Sequence, residues 1–179
     1  MTRKIARRIT ANYLHNAALF YLQRYAASTG RLRQVLINKI RRSCRDHPDQ
    51  EAALLLPLVE TEIATLQRVE LLADDRLAAQ LLDGHRARGI SSRLIAQKLS
   101  IKGFTPDLIK NLLGATHHDE TTQTEIEAAR RYLQRRRLWP YGKAPSVGPK
   151  DKQKSYAALA RQGYDPDVIN TAMKGNDES

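Results

Sequence analysis

Apolar residues recur along this chain at three- and four-residue steps, and strictly alternating runs bounded by turn residues do not occur, so the pattern predicts an all-α protein. Ile9, Tyr13, Ala17, Phe20 and Tyr21 mark a first helix over residues 5–27, which Ser28 and Gly30 punctuate. A second helix starts at Arg31, carries Leu32, Val35, Leu36 and Ile40, and stops before the polar Asp46-His47-Pro48-Asp49. Asp49 is the expected N-cap of a third helix reaching toward Val69. Pro57 predicts a kink or a fresh start there, because proline removes one helical hydrogen bond and clashes with the preceding turn.

Asp74-Asp75 opens a fourth helix, with carboxylates suited to free amides and to the positive end of the dipole, and Gly89 closes it. Ser91 or Ser92 caps a short fifth helix that buries Leu94, Ile95, Leu99 and Ile101 and ends at Gly103. Thr105-Pro106-Asp107 is a compact start signal for a sixth, running to Leu113. Residues 114–124 read as a polar linker, and residues 125–138 as a long helix with a cationic C-terminal half that Trp139-Pro140-Tyr141-Gly142 ends. The stretch to Pro149 is rich in proline and glycine and reads as a mobile loop. Helices over residues 150–162 and 166–174 bring the expected total to nine.

Two of these helix corners are versions of one device. Residues 98–113 (KLSIKGFTPDLIKNLL) and 158–173 (ALARQGYDPDVINTAM) align without gaps, pairing Leu99 with Leu159, Gly103 with Gly163, Phe104 with Tyr164, Pro106 with Pro166, Asp107 with Asp167 and Ile109 with Ile169. The glycine takes the left-handed conformation that stops one helix, the aromatic packs back on its last turn, and Thr or Asp before Pro-Asp starts the next. The offset accommodates three helices per unit and three units in the chain, at residues 1–70, 71–116 and 117–179. The first unit is divergent: residues 41–48 stand where a Gly-aromatic corner would fall.

Composition changes the picture mainly through charge. With 41% hydrophobic and 27% charged residues the chain is too apolar for a disordered protein, and its net charge of +11 is segregated. Residues 1–48 hold 11 Lys/Arg against Asp46 alone, residues 49–127 hold 8 against 13 acids, and residues 128–161 hold 10 against Asp151 alone. Such clustering costs self-repulsion, which a phosphate- or carboxylate-rich partner offsets. The longest apolar run, residues 52–59, is far short of the roughly 20 residues a membrane helix needs. No secretory signal is recognised, and Cys44 is the only cysteine, so a cytoplasmic address is expected.

The first candidate contact surface comprises Arg130, Arg131, Arg135, Arg136 and Arg137 on one helix, followed by Trp139, Tyr141, Lys143, Lys150, Lys152 and Lys154. Arginine offers planar bidentate donors for phosphate or carboxylate, and a neighbouring Trp or Tyr can stack on a base or anchor a protein interface. The plainer alternative makes Trp139 and Tyr132 core residues and lets the arginines complement the helix C-terminus. A second candidate gathers Arg3, Lys4, Arg7, Arg8, Arg31, Arg33, Lys39, Arg41, Arg42 and Arg45, against the alternative of a solvated face. Arg86, Arg88, Arg93, Lys98 and Lys102 make a thinner middle stripe.

Nothing points to catalysis or a cofactor. Adjacent His117-His118 with Asp119 on a polar segment has no matching Cys/His pair for a metal. Cys44 with His47 lacks an orienting third group, capping accounts for Asp74 and Asp75, and there is no Gly-x-x-x-x-Gly-Lys loop for a nucleotide.

Taken together these residues resemble the RecX family, regulators of the RecA recombinase. Ser28-Thr29-Gly30-Arg31-Leu32-Arg33 with Leu36 is similar to that family's first-unit signature, and Leu72-Ala73-Asp74-Asp75-Arg76 with Ala78 to its Leu-x-Asp-Asp-x-x-x-Ala segment. Leu99 to Phe104 and Ala160-Arg161-Gln162-Gly163-Tyr164 resemble its repeated corners, the latter with Gln-Gly-Tyr where Arg-Gly-Phe is common. The resemblance implies three tandem three-helix units in an elongated, curved array, a monomer that lies on the RecA filament on single-stranded DNA and restrains its recombinase, ATPase and coprotease activities. A plain basic nucleic-acid-binding module of helix-turn-helix type is the alternative.

Overall fold

The computed structural model describes residues 5–114, 118–142 and 148–174, with the side chains of residues 118–121 outside that set. Among the described residues the protein has nine helices and no strand: α1 (Ala11–Leu22), α2 (Thr29–Asp46), α3 (Ala52–Arg68), α4 (Asp74–Arg86), α5 (Ser92–Ile101), α6 (Pro106–Gly114), α7 (His118–Arg136), α8 (Pro149–Arg161) and α9 (Pro166–Met173). They form two compact units, one made of residues up to Leu77 with Lys102–Thr105, the other of Ala78–Ile101 with the chain from Pro106 onward.

In the first unit, Leu32, Leu36 and Ile40 bury one face of α2 between Leu14 and Ala18 of α1 and Val59, Ile63 and Leu66 of α3. Full burial of each such side chain contributes on the order of 1.5–3 kcal/mol. The expected first helix begins later than its apolar spacing suggests. Thr10 is extended and its hydroxyl accepts from the Tyr13 amide at 3.1 Å, so α1 starts at Ala11. Residues 5–10 instead pack against the α2–α3 turn, where the Ala6 amide donates to Asp46 at 2.8 Å and Gln50 exchanges two hydrogen bonds with the Ile9 backbone. The buried stripe therefore runs through Leu14 and Ala18, and Phe20, one of the residues whose spacing marks the helix, is exposed.

Two further expectations are corrected in α3. Asp49 does not cap it: the helix begins at Ala52 after an extended Glu51, and Asp49 pairs with both terminal nitrogens of the Arg8 guanidinium. Pro57 neither breaks nor restarts it. The proline ring sits on the exposed face, and the helix continues through a position that costs roughly 3 kcal/mol in isolation, with Val59, Ile63 and Leu66 buried beyond it.

In the second unit, Ile126, Ala129 and Leu133 of α7 pack against Val168, Ile169, Ala172 and Met173 of α9, with Leu159 of α8 completing the core. The expected linker over residues 114–124 is shorter than its polarity suggests: α7 starts at His118, and residues 115–117 lie outside the described set. Ile101, expected to be buried, is 76% exposed at the end of α5. Of the stretch read as a loop over residues 139–149, residues 139–142 and 148 are outside any helix, Pro149 opens α8, and residues 143–147 lie outside the described residues.

The two matched corners build the same joint. At the first, Gly103 is left-handed (φ +87°), Phe104 is buried, and the Lys102 carbonyl accepts from the hydroxyl of Ser28, which itself caps α2 by accepting from the Arg31 amide at 3.0 Å. Asp74 then takes the Thr29 amide at 2.8 Å, so the carboxylate expected to cap its own helix caps a distant one. At the second, Gly163 is left-handed (φ +84°), Tyr164 is buried, and the Gln162 carbonyl accepts from Ser91 at 2.7 Å. Ser91 caps α5 through the Leu94 amide, and Glu125 takes the Ser92 amide at 2.8 Å and the Ser92 hydroxyl at 2.6 Å. Asp75, Pro106, Asp107, Pro166 and Asp167 occupy the first turns of α4, α6 and α9 as expected.

Candidate polyanion-binding surface

Burial of Ile126, Ala129 and Leu133 on one face of α7 turns its remaining positions outward, and Arg131, Arg135 and Arg136 are exposed there. Arg137 is also exposed, but it ends the helix rather than extending it. It is left-handed (φ +50°), and the Leu138 amide closes the last turn onto the Leu133 carbonyl at 2.9 Å. Arg130 is half-buried, with its Nε buried and unpartnered.

Two clefts border this helix. Arg88, Arg135 and Arg136 line one of about 380 Å³, together with Ile90, Tyr132 and Gln162. One Arg135 terminal nitrogen donates to the Ala87 carbonyl at 2.9 Å, the Arg136 guanidinium lies 5.9 Å from the Tyr132 ring centroid, and Arg88 Nε donates to the Gly84 carbonyl at 2.8 Å. One Arg135 fork donor is thus taken by a carbonyl, and among the described residues none of these three guanidiniums forms an ion pair with a carboxylate. Arg130, Arg131, Glu127, Gln134 and Tyr141 line the second, of about 570 Å³. None of the ion pairs among the described residues involves an arginine of residues 130–137.

Trp139 is half-buried and packs on the second core with Tyr132, Leu138 and Tyr141, while the Lys152 ammonium stands 4.8 Å from its ring centroid. Lys150, Lys152 and Lys154 are exposed on α8, Lys154 with Asp151 at 3.7 Å. Lys143 lies outside the described residues, as do Arg3, Lys4 and His117, and the side chains of His118 and Asp119.

The N-terminal cations divide differently. Arg33 forms a two-pronged pair with Glu60 at 2.7 and 2.9 Å, which holds the Glu60 carboxyl below its usual range, and Arg8 does the same to Asp49. Lys39 stands 5.8 Å from the Tyr13 ring centroid. Arg31, Arg41 and Arg42 are exposed, and Arg31 Nε reaches the Tyr21 hydroxyl at 3.4 Å. In the middle stripe Arg93 and Lys102 are exposed, whereas Arg86 and Lys98 are half-buried, Arg86 with an unpartnered buried Nε.

His47 Nε2 is engaged by the Ala6 carbonyl at 2.8 Å, Cys44 packs beside the first core, and among the described residues no three His, Cys, Asp or Glu side chains gather as metal ligands. The buried Tyr164 hydroxyl is unpartnered, and burial above all pushes its pKa up, with Glu125 adding to the shift. No described helix is long and apolar enough to cross a membrane.

Fold and surface thus define an all-helical protein joined at repeated glycine corners, with a cationic helix facing outward. No family model matches the chain. It is 35% identical over 174 residues to the regulatory protein RecX of Myxococcus xanthus (strain DK1622), covering 97% of this chain and 90% of the relative, and the chain belongs to the RecX family of regulatory proteins. Its fold is that of the crystal structure of RecX from Lactobacillus salivarius (TM-score 0.64, 19% identity, 93% of this chain and 96% of the other). A second crystal structure, of regulatory protein RecX, superposes with TM-score 0.59 at 18% identity, over 92% of this chain and 71% of the other.

Proposed function

We propose that this chain regulates RecA by binding its filament on single-stranded DNA as a cytoplasmic monomer and restraining the recombinase, ATPase and coprotease activities. It works by occupancy, without a reaction of its own. The observation that carries this reading is the cleft where Arg88, Arg135 and Arg136 converge without a carboxylate in its lining, in a chain of the RecX family. Three guanidinium forks around one opening suit a phosphate or a surface carboxylate, and a protein–DNA filament offers both. Arg131, Arg137, Lys150, Lys152 and Lys154 extend the charge, with Trp139 behind Lys152. Arg31, Arg41, Arg42, Arg93 and Lys98 form a secondary set. The repeated joint supports dividing the chain into three tandem three-helix units at residues 1–70, 71–116 and 117–179.

The test is a titration of DNA-stimulated ATP hydrolysis by RecA. Inhibition is expected far below the concentration at which the protein coats bare DNA. Equal potency in the two assays would replace this reading with that of a general nucleic-acid-binding module.

A further inference from the structure

Phe20, Tyr21 and Tyr25 lie at the C-terminal end of α1 and in the turn that follows, and Phe20 and Tyr25 are 56% and 57% exposed. A single exposed aromatic ring is ordinary, but here the rings alternate with arginines. The Arg24 guanidinium sits 4.1 Å from the Phe20 centroid, Tyr21 and Tyr25 pair at 5.0 Å between centroids with a 41° tilt, and Arg31 Nε reaches the Tyr21 hydroxyl. The turn is fixed by its backbone, with the Gln23 amide bonded to the Leu19 carbonyl and the Arg24 and Tyr25 amides to the Tyr21 carbonyl at 3.1 and 3.0 Å. The cluster is therefore preorganised.

We propose that this cluster is a stacking platform for unpaired bases of single-stranded DNA, with Arg24 and Arg31 on the flanking phosphates. A base presents a π-face that an exposed ring accepts whatever the sequence, and interleaved guanidiniums neutralise the backbone between successive bases. Charge complementarity favours a strand over an apolar protein patch, because Arg24 and Arg31 beside the rings are both exposed. The choice of DNA rests on the filament reading above. The experiment uses bare strands without RecA, so its failure leaves that reading standing.

Fluorescence anisotropy would compare a labelled oligo(dT) with an abasic strand of the same length, against the wild type, a Phe20→Ala/Tyr25→Ala variant and a ring-preserving Phe20→Tyr/Tyr25→Phe variant. Wild type and the ring-preserving variant are expected to bind oligo(dT) roughly tenfold more tightly than the abasic strand. The double-alanine variant should fall to the abasic level with its circular dichroism unchanged. Equal affinity of the wild type for both strands, no measurable binding of oligo(dT), or an alanine variant that keeps wild-type affinity would each overturn the platform.

Discussion

The joint at Gly103 and the joint at Gly163 use the same parts in the same order, yet they differ in how tightly the parts meet. A Cβ on Gly103 would lie 2.8 Å from the Arg31 amide nitrogen and 3.0 Å from the Gly30 carbonyl carbon, and one on Gly30 would lie 2.2 Å from the Gly103 carbonyl oxygen. All of those atoms are backbone. A Cβ on Gly163 would meet the Ser91 hydroxyl at 2.8 Å and the Leu94 Cβ at 3.4 Å, which are side-chain atoms. The residue that answers Gly30 by its place after the capping serine is Arg93, whose side chain is exposed. The first joint is thus backbone against backbone and admits only glycine. The second leaves room for a side chain, and in this protein that side chain is a cation.

The difference predicts an order of stabilities. Gly103→Ala combines a left-handed backbone with two immovable neighbours and should cost about 3 kcal/mol or more in urea unfolding. Gly163→Ala keeps the backbone strain and displaces the Ser91 hydroxyl that caps α5, but meets no close backbone atom, so roughly 2–3 kcal/mol is expected. Gly30→Ala decides between two principles. Helix propensity alone predicts a gain of about 1 kcal/mol, whereas the contact with Gly103 predicts a loss of about 2 kcal/mol, and the loss is expected. A larger loss at Gly163 than at Gly103 would break the comparison. Ser28→Ala and Ser91→Ala should each cost about 1 kcal/mol, the usual value of a serine N-cap.

The smallest effect is electrostatic. Glu60 is held below its ordinary value of 4.5 by hydrogen bonds from Arg33, so its contribution is present above about pH 4.5 and fades as pH falls through the lowered folded value. Because the pair is solvent-exposed, it contributes about 0.5 kcal/mol or less. Glu60→Gln should remove that part of the acid-side slope and leave stability at pH 7 almost unchanged, as paired urea titrations at pH 7 and pH 3 would show.

The two corners were legible in the sequence because everything that forms them is local: Gly103-Phe104 before Pro106-Asp107, and Gly163-Tyr164 before Pro166-Asp167, each stop and restart the chain by their own conformational limits. Their docking partners were not legible. Ser28 meets Lys102, and Thr29 meets Asp74, across separations that no periodicity encodes. Asp75 lies in the first turn of α4, where its charge suits the dipole, whereas Asp74 caps a helix that lies elsewhere. The start of α1 was missed because apolar spacing continues through Ile5 and Ile9, while the Thr10 hydroxyl decides the boundary. The start of α7 was missed because residues 118–124 carry no apolar stripe.

Charge was legible in amount and not in availability. Arg33 belongs to Glu60 and Arg8 to Asp49, whereas among the described residues Arg135 meets the Ala87 carbonyl and Arg136 the Tyr132 ring, and neither forms an ion pair. Phe20 and Tyr21 share the spacing that marks the helix, and a one-residue rotation of the buried stripe puts Phe20 at the surface.

The most direct measurement is the affinity of an Arg135→Glu/Arg136→Glu/Arg137→Glu variant for RecA filaments on single-stranded DNA, read by anisotropy of labelled protein beside its circular dichroism. The account predicts native helicity and a loss of at least roughly tenfold, since three forks facing phosphate or carboxylate become three repelling charges. Wild-type affinity in a folded variant would contradict it.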